Sequence, residues 1–197
     1  MKKTLMMLTI AAVLVSPISL YAEGKSAKAP DFVLKNYDGK EVKLADLKGK
    51  IVVLEWFNYE CPFVKYHYEK ASTMKDLAAK HKVKNVVWLA INSTSHQETE
   101  KNKEYAEKNK ILFPILDDRS GKIGKAYHAT KTPHMIIIDA EGNIAYNGAI
   151  DNAPMGRIPD NEKMVNYVNK ALEELIAGKT VTLAKTKPYG CSVKYKK

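Results

Sequence analysis

The chain has 197 residues, of which 45% are apolar, and carries a net charge of +10. That is enough length and apolar content for one domain with a real core, which excludes a disordered tail or a mini-protein that needs stapling. The charge is almost all lysine, with only Arg119 and Arg157 as arginine, and it is interleaved with glutamate, as in EKNKEYAEKNK. Such a pattern reads as a solvated helix face, and without a basic cluster carrying aromatics it argues against nucleic acid as a partner.

Residues 1–22 read as a signal peptide: Lys2 and Lys3 precede an apolar run from Leu5 to Leu20, and Leu20-Tyr21-Ala22 is a usable cleavage site. The run is short for a membrane span and no second one follows, so a mature chain of about 175 residues is expected in the periplasm or outside the cell, not embedded in a membrane. Residues 23–30 read as a polar linker. A hairpin over Asp31 to Lys35 and Glu41 to Leu44 turns at Tyr37-Asp38-Gly39. Asp46 to Lys50 then leads into Ile51 to Trp56, an apolar, β-branched run that predicts a buried strand.

After the turn Asn58-Tyr59-Glu60, Pro62 predicts the first position of a helix running to about Lys80, with Tyr66, Ala71, Met74, Leu77 and Ala78 on its core face. Asn85 to Asn92 reads as a second buried strand. Ser95 followed by Glu98 reads as a capping box for a helix through Lys110. A short strand over Phe113 to Leu116, a turn at Asp117-Asp118 and a short helix from Gly121 to His128 come next. Met135 to Asp139 and Ile144 to Gly148 form a hairpin, and Met164 to Ile176 an amphipathic helix. This order gives an α/β fold with a mixed sheet over residues 31–178 and a proline-punctuated tail over 179–197.

Cys61 and Cys191 are the only cysteines. Cys61 precedes Pro62 and therefore sits at the N-cap of a helix. There the helix dipole, with Lys65 one turn onward, favours thiolate over thiol. Inert burial is the plain alternative for Cys61. Cys191 follows Gly190 on the tail, a poor place for a core residue. It can serve as a redox partner of Cys61 or as half of a purely structural disulfide, and the residues do not separate the two.

WFNYECPFVKYHY, the KTPH loop at Lys131 to His134 and the closing GCSVKY together resemble the thioredoxin-like superfamily, and within it the peroxiredoxin-like AhpC/TSA and redoxin branch. The resemblance covers about residues 28–197 and implies a thioredoxin-like fold, a mixed central sheet flanked by helices. Two departures stand out: Val64 replaces the second cysteine of a C-x-x-C motif, and Asn58 replaces the threonine of a peroxiredoxin T-x-x-C. The peroxiredoxin arginine near the start of the later strand also has no counterpart, since Pro133 takes that place. The resemblance implies a cis bond at Thr132-Pro133, packed beside the nucleophile. Glu55 stands where thioredoxins bury an acid under the sulfur. Its plain alternative, favoured by the scarcity of buried carboxylates, is a sheet end with solvent or a lysine as partner.

Asn58 has two readings as well, a hydrogen bond to substrate or a cap on its own turn, and the turn is the simpler. His67, His128 and His134 raise a metal, but without a second nearby cysteine no metal site is expected. Trp56, Tyr59, Tyr66 and Tyr68 read as core and pocket-wall aromatics. The expectation is therefore an exported thiol oxidoreductase without cofactor, with Cys61 attacking a peroxide or protein disulfide, Cys191 resolving it, and an external thiol as reductant. The alternative is a non-catalytic exported binding module stapled by a Cys61–Cys191 disulfide. In either case Tyr189, Val193 and Tyr195 anchor the tail only modestly. The disulfide is expected to do most of the holding, and reduction to free Lys185 to Lys197.

Overall fold

Strand β3 (Ile51–Trp56) is buried along its whole length because neighbours cover it on both edges and both faces. The computed structural model describes residues 27–158 and 160–196, so the expected signal peptide and residues 23–26 lie outside it. In chain order the elements are β1 (Val33–Asn36), β2 (Glu41–Lys43), β3, α1 (Pro62–Lys65), α2 (Thr73–His81), β4 (Val86–Asn92), α3 (Thr99–Lys108) and β5 (Ile115–Asp117). They are followed by α4 (Lys122–Ala126), β6 (Lys131–Thr132), β7 (His134–Ile138), β8 (Ile144–Gly148), α5 (Tyr167–Ile176) and β9 (Cys191–Ser192). The main sheet runs β2-β1-β5-β4-β3-β7-β8. β3 pairs parallel to β4 and antiparallel to β7, so the sheet is mixed, as expected.

Alternation along β3 sends Val53 to the face packed by Phe57, Tyr68, Met74, Trp88 and Leu172. Val52, Leu54 and Trp56 go to the other face, with Leu116, Ile123, Tyr127 and Ile136. Two covered faces explain why the run is apolar without interruption except at Glu55.

Three expectations are corrected. The helix after Cys61 does not run through to Lys80: α1 passes into a π-helical turn, Tyr66–Lys70, closed by the Ala71 N–H donating to the Tyr66 carbonyl at 2.9 Å. Ser72 then takes a left-handed conformation, φ 53°, before α2 begins. The wide turn brings His67 and Tyr68 inward together, both fully buried, and leaves Ala71 exposed. The capping box does not form either. α3 starts at Thr99 behind Glu98, because Thr94 and Gln97 fold inward and Gln97 is buried among amides. Finally, α5 starts at Tyr167, capped by the Asn166 side chain, so Met164 and Val165 precede it and are exposed.

Neither end of the described chain is loose. Lys28 bridges to Asn143 and the Ala29 N–H donates to Gly142 at 3.0 Å, which ties residues 28–30 to the β7–β8 turn where a linker was expected. The tail runs along β8, where the Asn147 N–H donates to Ala184 and the Thr186 N–H to Asn147. It then pairs as β9 with β6.

Candidate active site

β3 delivers the chain to the site through Phe57, whose N–H donates to the Ile91 carbonyl at 2.9 Å. Asn58 then builds the turn. Its Oδ1 accepts from the Glu60 N–H at 2.7 Å and from Gln97 Nε2 at 2.8 Å, and its carbonyl accepts from the Cys61 N–H at 3.1 Å. The capping reading of Asn58 is therefore the one the geometry supports. Cys61 is the N-cap of α1 with Pro62 behind it in the first turn, and its carbonyl accepts the first helical bond, from Lys65. Val64, at the position of a second C-x-x-C cysteine, is fully buried in the core.

The partner of Cys61 comes from the far end of the chain. Thr132-Pro133 is cis. Thr132 pairs in register with Cys191 across β6 and β9. The Cys61 thiol donates to the Thr132 carbonyl at 3.0 Å, and Cys191, opposite Thr132, packs against the same core cluster as Cys61. Both are free thiols in this structure, Cys61 2% exposed and Cys191 half-buried.

Burial pushes the Cys61 thiol up, but hydrogen bonds to the ionised sulfur outweigh it and hold the group below the ordinary thiol range. They come from the Cys191 thiol, the Thr132 side chain and the Val64 and Cys191 N–H groups. The Thr132 hydroxyl is buried with no partner in the thiol form, so it is available as a donor when the sulfur ionises. Val64 belongs to the first turn of α1, so the helix terminus acts as expected through a particular N–H. Lys65 is exposed and is not among the groups that lower Cys61. Burial and the Cys61 sulfur push the Cys191 thiol up to about 11, against Lys194 and Lys131.

Glu55 overturns the favoured reading of a solvated sheet end or lysine pair. It is fully buried in mid-sheet, where Oε2 accepts from the Tyr68 hydroxyl at 2.8 Å and Trp88 Nε1 at 3.1 Å, while Oε1 has no partner. Burial raises its pKa from 4.5 to about 7 against those two hydrogen bonds. Its flanking strands carry Ala90 and Met135 opposite it, and no lysine faces it in the sheet. Trp56 and Tyr68 are core aromatics as expected, while Tyr59 and Tyr66 are only partly buried.

His134 and His67 are engaged with the fold, while His128 is exposed. His134 accepts from the Thr130 N–H and bonds Asn147 at 2.7 Å through Nε2. His67 bonds Thr73 and the Tyr189 hydroxyl. Among the described residues no group of three or more His, Cys, Asp or Glu side chains is placed to hold a metal. The sequence reading missed Tyr68 and Trp88 as holders of Glu55 and Gln97 as holder of Asn58. It also missed Asp151, which receives the Tyr189 hydroxyl at 2.7 Å. No short-range pattern marks these residues, since their partners are 13 to 39 positions away.

A cysteine at a strand–helix junction, a cis-proline facing it and a buried acid in the adjoining strand define a thioredoxin-like protein. The AhpC/TSA family matches residues 26–147, well over half of the chain, and the protein belongs to that family. Cys61 lies inside the matched segment and Cys191 outside it. Thiol-disulfide oxidoreductase ResA of Bacillus thuringiensis subsp. konkukian (strain 97-27) is 30% identical over 117 residues. That match covers 59% of this chain and 65% of the relative, less than two thirds of its length. An uncharacterized conserved protein from Geobacillus kaustophilus superposes with a TM-score of 0.76 at 32% identity, over 87% of this chain and 92% of that one. A putative thiol:disulfide interchange protein DsbE from Chlorobium tepidum shares the fold with a TM-score of 0.59 at 24% identity, over 78% of this chain and 95% of that one.

Proposed function

We propose that the protein is an exported thiol–disulfide oxidoreductase whose working pair is Cys61 and Cys191. The observation that carries the reading is an N-cap thiol bonded to the Thr132 carbonyl, with Cys191 brought opposite Thr132 by the β6–β9 pairing, at a site without C-x-x-C. The Cys61 thiolate attacks a substrate disulfide, forming a mixed disulfide and expelling one substrate thiolate. Cys191 then gives up its proton and attacks the Cys61 sulfur, which releases the second substrate thiol and leaves the internal disulfide. Two electrons pass to the substrate, and an external dithiol restores them. In that return step the half-buried Cys191 sulfur is the more open target, and the Cys61 thiolate, the more acidic thiol, is the better leaving group. Glu55 lies on the face of β3 toward which Cys61 packs, and a carboxyl titrating near 7 is suited to take the proton in transit.

A disulfide is a better-supported substrate than a peroxide. Asn58, in the peroxiredoxin threonine position, already spends its side-chain oxygen on Glu60 and Gln97. The name of the ResA relative points the same way. The basic, apolar and small-residue pattern of residues 1–22 supports export, and no helix among the described residues is long and apolar enough to cross a membrane.

Incubating the reduced protein with glutathione disulfide tests the reading. The wild type should end with one Cys61–Cys191 bond, Cys191→Ser should trap glutathione on Cys61, and Cys61→Ser should lose turnover of a protein disulfide. A reduction potential below about −300 mV, with no turnover by the wild type, would identify a structural staple and overturn the proposal. Rapid oxidation of Cys61 by hydrogen peroxide in stopped flow would move the substrate assignment to peroxides.

A further inference from the structure

Two residues before Cys191, the tail plugs an aromatic ring into a polar slot that the thiol chemistry does not use. The Tyr189 hydroxyl donates to Asp151 Oδ1 at 2.7 Å and lies 2.8 Å from His67 Nε2. His67 Nδ1 is 3.2 Å from the Thr73 hydroxyl, and Asp151 Oδ1 also accepts from the Ala153 N–H at 2.9 Å. His67 and Asp151 are almost fully buried, at 0% and 2% exposure. The ring of Tyr189 stacks on His67 with centroids 6.2 Å apart and leans on Phe63 at 5.9 Å.

The slot has one consistent direction of donation: Thr73 hydroxyl to His67 Nδ1, His67 Nε2–H to the Tyr189 oxygen, Tyr189 O–H to Asp151. Burial favours the neutral imidazole this requires, and burial together with Asp151 keeps the Tyr189 phenol protonated. Each of these slot atoms has its partner, and an empty slot would leave His67 Nε2 unpaired and Asp151 Oδ1 with only the Ala153 N–H. The slot also belongs to the active-site helix. His67 sits in the π-helical turn that follows α1, so the wide turn that breaks the expected helix is what aims its imidazole at the tail.

We propose that Tyr189, seated on His67 and Asp151, is the positioning residue that sets Cys191 against Cys61, and so sets both the equilibrium of the Cys61–Cys191 disulfide and the acidity of Cys61. This rests on the reading of the two cysteines as a redox pair. From the seat only Gly190 intervenes before Cys191, and Gly190 is pinned under the cis-proline loop, where a Cβ would collide with the Thr132 carbonyl. Displacing Tyr189 therefore moves Cys191 away from its place opposite Thr132, whose carbonyl holds the Cys61 thiol, and with it the Cys191 thiol and N–H that favour the ionised Cys61 sulfur. The residue touches neither substrate nor sulfur and acts only through Cys191.

Tyr189→Phe keeps the ring and removes the latch. In the exchange with glutathione, the two protein thiols give two electrons and two protons to glutathione disulfide. One S–S bond forms in the protein, the one in glutathione breaks, and two glutathione thiols appear. The variant should lower this exchange constant about tenfold, the loss expected when a hydrogen bond to a charged group is removed. It should also raise the pH midpoint of thiolate absorbance at 240 nm for Cys61, read in a Cys191→Ser background with and without Tyr189→Phe, since the Cys191 N–H remains there to be displaced. Circular dichroism of the full chain accompanies both measurements. A folded Tyr189→Phe with a constant within twofold of wild type and an unmoved midpoint overturns the proposal. A variant that does not fold shows that the slot holds the fold as a whole, which also overturns the positioning role. Failure of the wild type to form the Cys61–Cys191 bond at all would instead remove the proposed function beneath it.

Discussion

Glu55 shows how one buried carboxyl sets a pH dependence for the whole fold. Its pKa rises from 4.5 to about 7 through burial, so the folded state prefers the neutral acid. The stabilisation this gives is complete below pH 4.5 and is lost as pH rises through about 7, because there the folded chain must carry an ionised group that the unfolded chain carries in water. The interval corresponds to about 3 kcal/mol. Glu55→Gln imitates the neutral acid and keeps an acceptor for the Tyr68 hydroxyl and Trp88 Nε1. Denaturant titrations should show it about 2–3 kcal/mol more stable than wild type at pH 8.5, and within error of wild type at pH 4.5. Equal stabilities at both pH values would mean that Glu55 ionises freely. On the proposed mechanism, in which the Glu55 carboxylate accepts the proton, the same substitution should slow disulfide exchange near pH 7.

Among the elements, β9 is the smallest and the most exacting. Two residues pair with β6, and the Val193 N–H then donates to Thr130 at 3.2 Å. Gly190 reaches this pairing with φ +112°, which other residues adopt only under strain, and it lies against the Thr132 backbone. Gly190→Ala should therefore lift β9, at a cost of about 1–3 kcal/mol, and sharply reduce hydrogen-exchange protection at Val193 while leaving β4 unchanged. Retained protection at Val193 would show that the tail reseats around the methyl group.

The elements read correctly from sequence are those whose cause is local. β3 is a β-branched run, and Cys61-Pro62 places an N-cap. The Ala140 to Asn143 turn joins two apolar strands. The misread ones are set by distant partners. The helix breaks at Ser72 without glycine or proline because Tyr68 reaches back to Glu55 and His67 reaches forward to Tyr189. Ser95 loses its capping role because Gln97 turns inward to Asn58 and Asn92. Glu55 was misjudged for the same reason, since its two donors come from a π-helical turn and from β4. At the site, the N-cap place of Cys61 and the cis bond at Thr132-Pro133 were legible. The seat that positions Cys191 was not.

At the scale of the whole molecule, the tail is a strap across one side of the fold, and its attachments do not depend on sulfur. It covers the free edge of β8, where the Thr186 hydroxyl accepts from the Ala149 N–H and bonds the Tyr146 hydroxyl. Beyond β9, the Ser95 N–H donates to the Lys194 carbonyl, and the Tyr195 hydroxyl donates to Ala129 at 2.7 Å. The ring of Tyr195 lies over Gly121 and Gly124, so close that a Cβ on either would strike it. None of these attachments involves sulfur, so the tail has anchors beside the disulfide that was expected to do most of the holding. Each such hydrogen bond contributes about 1 kcal/mol, and they are spread along the strap, so no single end peels without breaking several. Trypsin should consequently cleave after Lys185 and Lys194 no more than a few-fold faster in reduced than in oxidised protein, although both lysines are exposed, because cleavage needs a locally unfolded segment. Tyr189→Phe should accelerate release of the tail from the reduced protein but much less from the oxidised one, where the Cys61–Cys191 bond takes over the anchoring. Prompt release of the tail from reduced wild type, with the core intact, would show that the S–S bond holds the strap. The slot at Tyr189 would then be too weak to set the thiol in place between turnovers.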